Sequence, residues 1–170
     1  MPAEKISLDE AKPEKLFYFV VNVVPVRKSD GRALILKRDE RETAHGGRYG
    51  VVGGKLEHAD LDLTKPSRLN GDILDFENAI PDLARREAKE EAGIELGGEL
   101  KYINQVVFVR PDAVPVVLLK FAAEYVGGEI KLEEGGFTEH AWVNADEVKK
   151  YPTIDGIAEE VTTAISLFAK

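Results

Sequence analysis

The stretch Arg86-Glu87-Ala88-Lys89-Glu90-Glu91-Ala92-Gly93-Ile94 sets three carboxylates at positions i, i+3 and i+4. On a helix, Glu87, Glu90 and Glu91 share one face. Gly93 reads as the helix-ending residue, since glycine tolerates a left-handed backbone. That puts Glu90 and Glu91 in the last turn, where the helix macrodipole is itself negative. Like charges at this spacing also repel, by roughly 0.2–0.5 kcal/mol per pair. A face built against both preferences calls for a counter-charge, and Mg2+ is the natural hard cation for carboxylate oxygens. The alternative is a solvated acidic face neutralised by Arg85, Arg86 and Lys89. Taken alone, the carboxylates leave both readings open.

Upstream stands Gly53-Gly54-Lys55-Leu56-Glu57-His58-Ala59-Asp60. Glycines after a strand let backbone groups approach a ligand or metal closely. Gly54-Lys55 is not a P-loop, because Leu56 replaces the required Ser or Thr and position 49 is tyrosine. His45, His58 and His140 lack zinc-site spacing, and with no cysteine, thiolate sites, cysteine nucleophiles and disulfides are excluded.

Several elements must position these residues. Phe17 to Val26 is rich in aromatic and β-branched residues and predicts a strand buried on both faces, its aromatics in the core. Ser29-Asp30-Gly31 is a turn signal, and Arg32 to Arg38 predicts the second strand of a hairpin. A polar loop over residues 39–48 precedes a short strand, Tyr49 to Val52, ending at the glycine pair. Asp60 to Asn78 has no sustained period and reads as a loop or insertion. The main helix is expected from Ala79–Pro81 to Ala92, proline being favoured at the first helical position. Glu99 to Val109 and Val114 to Val126 predict two further strands. Shorter strands are expected at Glu129–Leu132 and at Glu139–Val143, where Trp142 is read as core. Asn144 to Glu147 has capping-box spacing and should open a short helix. A last helix from Thr153 or Asp155 to Phe168 presents Ile157, Val161, Ala164, Ile165 and Phe168 on one side. The pattern is α/β (α+β), with residues 1–15 as a tail and 16–170 as one domain.

At 170 residues the chain can bury a proper core. Its formal net charge of -8 and lack of a basic stripe argue against extended nucleic acid as a partner. A phosphorylated small molecule stays compatible, because a bound cation reverses the local sign of an acidic site. Met1 to Lys15 is polar, unlike a secretory signal. The longest apolar run, Leu16 to Val26, is broken by Asn22 and Pro25 and is too short to span a bilayer. A cytoplasmic protein without membrane partners is the expectation.

Together the glycine stretch and the acidic helix resemble the Nudix hydrolase signature. That signature is Gly, five residues, Glu, seven residues, then Arg-Glu-U-x-Glu-Glu-x-Gly-U, where U is bulky and aliphatic. Arg86 to Ile94 matches the second half, with Ala88 at the first U. Gly54 opens the first half and Asp60 falls where the family has its first Glu, with Glu77 a rival for that place. Gly54 and Arg86 stand 32 positions apart against the family's 14, and the excess of 18 is placed at about residues 61–78. It is expected to face substrate, being anchored at Gly54 and at the helix. Phe137 to Val143 also looks like the segment that comes after the box in many members.

The resemblance implies an α/β/α sandwich around a mixed sheet. It also implies Mg2+- or Mn2+-dependent cleavage of the diphosphate bond of a nucleoside diphosphate linked to another group, in the NTP, ADP-ribose or sugar-nucleotide class. Glu87, Glu90, Glu91 and the Gly54 carbonyl become the expected metal ligands. Glu87 or Glu90 is the expected base or base-positioning group, with Glu139, and Glu134 behind it, as candidates beyond the box. Arg86 is expected to hold a box carboxylate in place, and Gly93 to end the helix. Arg38, Arg48 and Lys55, with Lys37, are candidate phosphate contacts. The rival function is a non-catalytic Nudix domain sensing a nucleotide or ADP-ribose-like ligand, and the intact carboxylates favour the enzyme. A homodimer would be in keeping with the family.

Overall fold

Residues 1–169 are described by the structure, a computed structural model. Strand β1 (Tyr18–Arg27) turns at Gly31 into β2 (Arg32–Arg38), and β3 (Tyr49–Gly50) and β4 (Val52–Lys55) come next. A hairpin of β5 (Arg68–Asn70) and β6 (Ile73–Asp75) leads to helix α1 (Ala79–Ala92). Strands β7 (Glu95–Val109), β8 (Pro115–Gly127) and β9 (Phe137–Val143) and helix α2 (Ile157–Phe168) complete the chain. Seven strands form one mixed sheet in the order β3-β2-β1-β8-β7, with β4 beside β1 and β9 beside β2. β1 and β8 run parallel, and the other pairs are antiparallel.

Strand periodicity divides the core in two. Val21, Val23, Leu34 and Leu36 face α1 and meet Leu83, Ala84, Ala88 and Ala92. Val24, Val26, Ala33 and Ile35 face the other way and meet Ile157, Val161 and Ala164 of α2. Helix, sheet and helix make the expected α/β/α sandwich. Among the described residues, no helix is long and apolar enough to cross a membrane.

Five local expectations change. The glycine pair lies inside β4 rather than at a strand end, with Gly53 opposite Asn22 and Gly54 opposite Val21. Phe17 and Tyr18 are each 47% exposed, because β1 begins beyond the reach of both helices. Residues 129–132 do not form a strand; they run along the end of α1, where Lys131 and Glu133 donate to the Ala92 and Glu91 carbonyls at 2.9 Å each. Those are helix-end acceptors that have no partner within the helix. The capping box at Asn144 forms, but Tyr151-Pro152 cuts the expected short helix to a single 3-10 turn, Val148–Lys150. The irregular stretch before α1 carries the exposed hairpin β5–β6. Its two-residue turn is Gly71-Asp72, and Gly71 has φ +61, as the first position of a type II′ turn requires.

Candidate active site

Helix α1 ends where expected. Gly93 adopts φ 72, its N–H donates to the Lys89 carbonyl at 3.0 Å, and a Cβ there would lie 2.9 Å from the Glu129 carbonyl. The apolar side of α1 is docked on the sheet, so its acidic side is brought against β4. There the two glycines do different work on opposite faces. A side chain at Gly54 would fall inside the Glu87 carboxyl group, so Glu87 rests directly on the backbone there. A Cβ at Gly53 would lie 2.6 Å from Asn22 Oδ1, so its absence makes room for Asn22 on the α2 face.

The Gly53 N–H donates to Glu91 Oε2 at 3.0 Å. Burial, with Glu87 and Glu133 adding to it, pushes the Glu91 carboxyl up to about 8 against that hydrogen bond. Glu87 is also raised, by burial first, with Arg86 opposing and Glu90, Glu133 and Asp60 adding. Glu90 is more open, at 53% side-chain exposure. The Arg86 guanidinium stands 3.0 Å from Asp60, 3.0 Å from Glu87 and 3.2 Å from Glu90, supplying the positive charge among them. Of the two rivals near the box, Asp60 is the one that meets Arg86, while Glu77 lies 3.6 Å from Arg68 of the hairpin.

This donor set suits a hard divalent cation. Glu87, Glu90 and Glu91 offer carboxylate oxygens and Gly54 a carbonyl, and the half-buried Glu91 lacks a cationic partner at contact distance among the described residues. Among the described residues no three such groups yet converge on one point, and Arg86 bridges Glu87 and Glu90. Cation binding therefore requires side-chain rotation at Glu90 and Arg86.

A cavity of ≈ 430 Å³ opens beside β4 on the α2 face, and Gly53, Gly54, Lys55 and Glu91 border it. Arg38 lines it too, its guanidinium donating to the Ala44 carbonyl and to Glu42, both at 3.0 Å. Lys55 keeps its ammonium 5.8 Å from the Tyr18 ring. Arg48 points elsewhere, to the Thr153 carbonyl at 3.1 Å, and is not in the cavity wall. Glu139 is not in the wall either. Its carboxylate accepts from Tyr49 Oη at 2.8 Å and Lys37 Nζ at 3.1 Å, which hold it below the usual range. Glu134 is exposed and borders a separate depression beyond the end of α1.

Three polar residues at the inner end of the cavity were missed by sequence reasoning: Asn22, Lys120 and Glu160. Each sits where the pattern demands an apolar side chain. Asn22 interrupts the β1 run, Lys120 stands between Leu119 and Phe121 of β8, and Glu160 lies on the apolar stripe of α2 beside Val161. A charge on a core-facing position was the signal. Glu133, the carboxylate that bears on Glu87 and Glu91, carried no such signal, because its backbone contact with α1 is tertiary.

The sequence model of the NUDIX domain matches residues 17–164. The chain belongs to the Nudix family. Its expected class, a Nudix-type hydrolase, stands with that membership. Solved structures share the fold of this Nudix chain at low identity. The MutT protein of Methanosarcina mazei Go1 is 22% identical, with a TM-score of 0.61 over 92% of this chain and 96% of that one. A NUDIX-family hydrolase from Clostridium perfringens is 18% identical, with a TM-score of 0.63 over 89% and 97%. The NUDIX domain of Shewanella oneidensis NrtR, solved with ADP ribose, is 15% identical, with a TM-score of 0.65 over 95% and 96%. No curated protein sequence matches the chain.

Proposed function

We propose that this protein is a divalent-cation-dependent pyrophosphohydrolase that cleaves the diphosphate bond of a nucleoside diphosphate linked to another group. The observation that carries the reading is Glu91, half-buried on the Gly53 N–H beside Glu87, with no cationic side chain at contact distance among the described residues. A carboxylate in that setting gains most from a cation arriving with substrate.

Glu87, Glu90, Glu91 and the Gly54 carbonyl are the residues that would hold the cation, Mg2+ or Mn2+. When bound, such a cation neutralises phosphate charge and acidifies a water molecule. The protein supplies the rest. Glu87, its proton affinity raised by burial, takes the proton of the attacking water. That assignment moves the base from Glu139, whose carboxylate is committed to Tyr49 and Lys37. Arg86 orients Glu87 and Glu90 through its contacts with both. Arg38 and Lys55, at the cavity wall, steer the phosphates. The intact carboxylates favour catalysis over ligand sensing alone.

The test is phosphate release, with a coupled phosphatase, from nucleoside triphosphates, sugar nucleotides, ADP-ribose and dinucleoside polyphosphates. Turnover is expected with Mg2+ and lost with chelator and in Glu90→Gln and Glu91→Gln. Binding of one compound without turnover of any would move the assignment to a sensor.

A further inference from the structure

The inner end of the cavity holds a buried carboxylate short of donors. Glu160 is 2% exposed, and among the described residues neither of its oxygens has a well-formed hydrogen bond. Lys120 Nζ stands 3.5 Å from Oε2, and Lys120 and the Asn22 amide both favour the ionised form without closing onto it. An ionised carboxylate has about four acceptor sites, so this one is far from satisfied. Leaving it so is unfavourable unless donors arrive from the cavity that it lines. Asn22 and Lys120 are register partners on β1 and β8, so both rise from the same face of the sheet toward Glu160. Val20 and Leu118, two residues earlier on the same strands, share that face, and Ile154 and Ile157 close the opposite side.

The cavity therefore has apolar walls with a polar end made of one paired acceptor, one cation and one amide. Gly53 lies directly opposite Asn22 on the neighbouring strand, and Gly54, Lys55 and Glu91 line the same cavity. We propose that the inner end reads the Watson–Crick edge of a guanine base, Glu160 accepting from N1–H and N2–H and Lys120 donating to O6. Among the four common bases only guanine presents two adjacent N–H donors beside a carbonyl oxygen. Adenine offers one amino donor beside an acceptor nitrogen, which would leave one Glu160 oxygen unpaired. Uracil places a single N–H between two carbonyls, one of which would face the carboxylate. Cytosine presents one donor and two acceptors. The apolar walls would take the faces of the ring, and a guanine seated there leaves its phosphates toward Gly54 and the acidic helix. Asn22, beside Lys120, is a further donor for O6 or N7.

This inference rests on the pyrophosphohydrolase reading for its reaction but not for its binding step, so the experiment separates the two. Binding of GMP, IMP and AMP is measured by calorimetry without metal, and hydrolysis of GTP, ITP, ATP, CTP and UTP with Mg2+. Wild type and Glu160→Gln are compared, with Lys120→Met as a second variant and thermal unfolding to check that both fold. A site built to hydrogen-bond a substrate group rejects analogues that lack it, so kcat/KM for GTP should exceed that for ATP by about 100-fold or more. ITP, lacking the 2-amino donor, should fall about 10-fold below GTP, as one unpaired buried acceptor predicts. Glu160→Gln, which replaces one acceptor oxygen by a donor, should collapse the GTP-to-ATP ratio toward one. Equal turnover of GTP and ATP, or an equal loss on every base in Glu160→Gln, overturns the guanine assignment and leaves the hydrolase reading standing. Selective GMP binding without hydrolysis of any triphosphate supports the guanine assignment and overturns the hydrolase reading.

Discussion

Glu91 and Glu160 are both glutamates withdrawn from solvent on opposite sides of one sheet, the first half-buried and the second buried, and they live in opposite company. Glu91 takes one backbone N–H from Gly53 and is crowded by Glu87 and Glu133. Glu160 has no well-formed hydrogen bond among the described residues but has a resident cation, Lys120, within 3.5 Å. Burial raises the proton affinity of both carboxyls; acidic neighbours add to it at Glu91, whereas Lys120 and Asn22 oppose it at Glu160. Burial alone thus says little about what a carboxylate does. The first site is short of positive charge, which suits a cation that comes and goes. The second is short of hydrogen-bond donors, which suits a neutral ligand with N–H groups on its edge.

Removing the resident cation should produce the largest effect. Lys120→Met leaves Glu160 buried and unpaired, and should lower stability by about 3–5 kcal/mol in denaturant unfolding. The double variant Lys120→Met/Glu160→Leu should regain most of that loss, because a packed apolar pair replaces an ion pair at little net change. If the single variant is as stable as wild type, the two carboxylates are not different in the way described. Glu91→Gln comes next. It should lower turnover on every substrate at least about 100-fold, beyond the 10–100-fold typical for partners of a metal's ligands. Selectivity among bases should survive in that variant, which a ratio of kcat/KM values reads directly.

A more gradual effect, small over any one pH unit, separates the sites by pH. The Glu91 carboxyl is raised from 4.5 to about 8 in the folded protein, so the folded state holds a proton that the unfolded state has released. Its contribution is fully present below pH 4.5 and is lost as pH rises toward 8. Metal-free stability should therefore fall across that window with a slope of up to about 1.4 kcal/mol per pH unit. Mg2+ should flatten the slope, and Glu91→Gln should abolish it. A slope that persists in Glu91→Gln would place its source elsewhere. The smallest effect is expected at the β5–β6 hairpin, which contributes no residue to the cavity wall. Replacing residues 67–76 with a short glycine-serine linker should leave nucleotide preference within about two-fold, because an exposed loop adds little beyond closure entropy. A changed preference would restore the hairpin to a substrate-facing role, the role its position between Gly54 and α1 first suggested.

Much of the fold can be read from periodicity. Val21, Val23, Val24 and Val26 alternate across β1, and Leu34 and Leu36 alternate with Ala33 and Ile35 across β2, so each strand announces two buried faces. Helix α1 declares both its ends, Pro81 near the start and Gly93 at the stop. The segment at 129–132 was unreadable because its hydrogen bonds go to carbonyls of α1, a partner no local pattern names. The hairpin before α1 was read only as a loop or insertion, because its strands are three residues each, too short for a period to emerge.

What the sequence determines by itself is the acidic helix face and its glycine stop, because spacing along one helix fixes neighbours within that element. Only the tertiary structure decided that Asp60 rather than Glu77 meets Arg86 and that Glu139 is tied to Tyr49 and Lys37. It also decided that Asn22, Lys120 and Glu160 share one cavity. Those three lie far apart along the chain on two strands and a helix. The parallel register of β1 with β8 and the docking of α2 across them bring the three together, and both depend on packing between elements rather than on any local spacing.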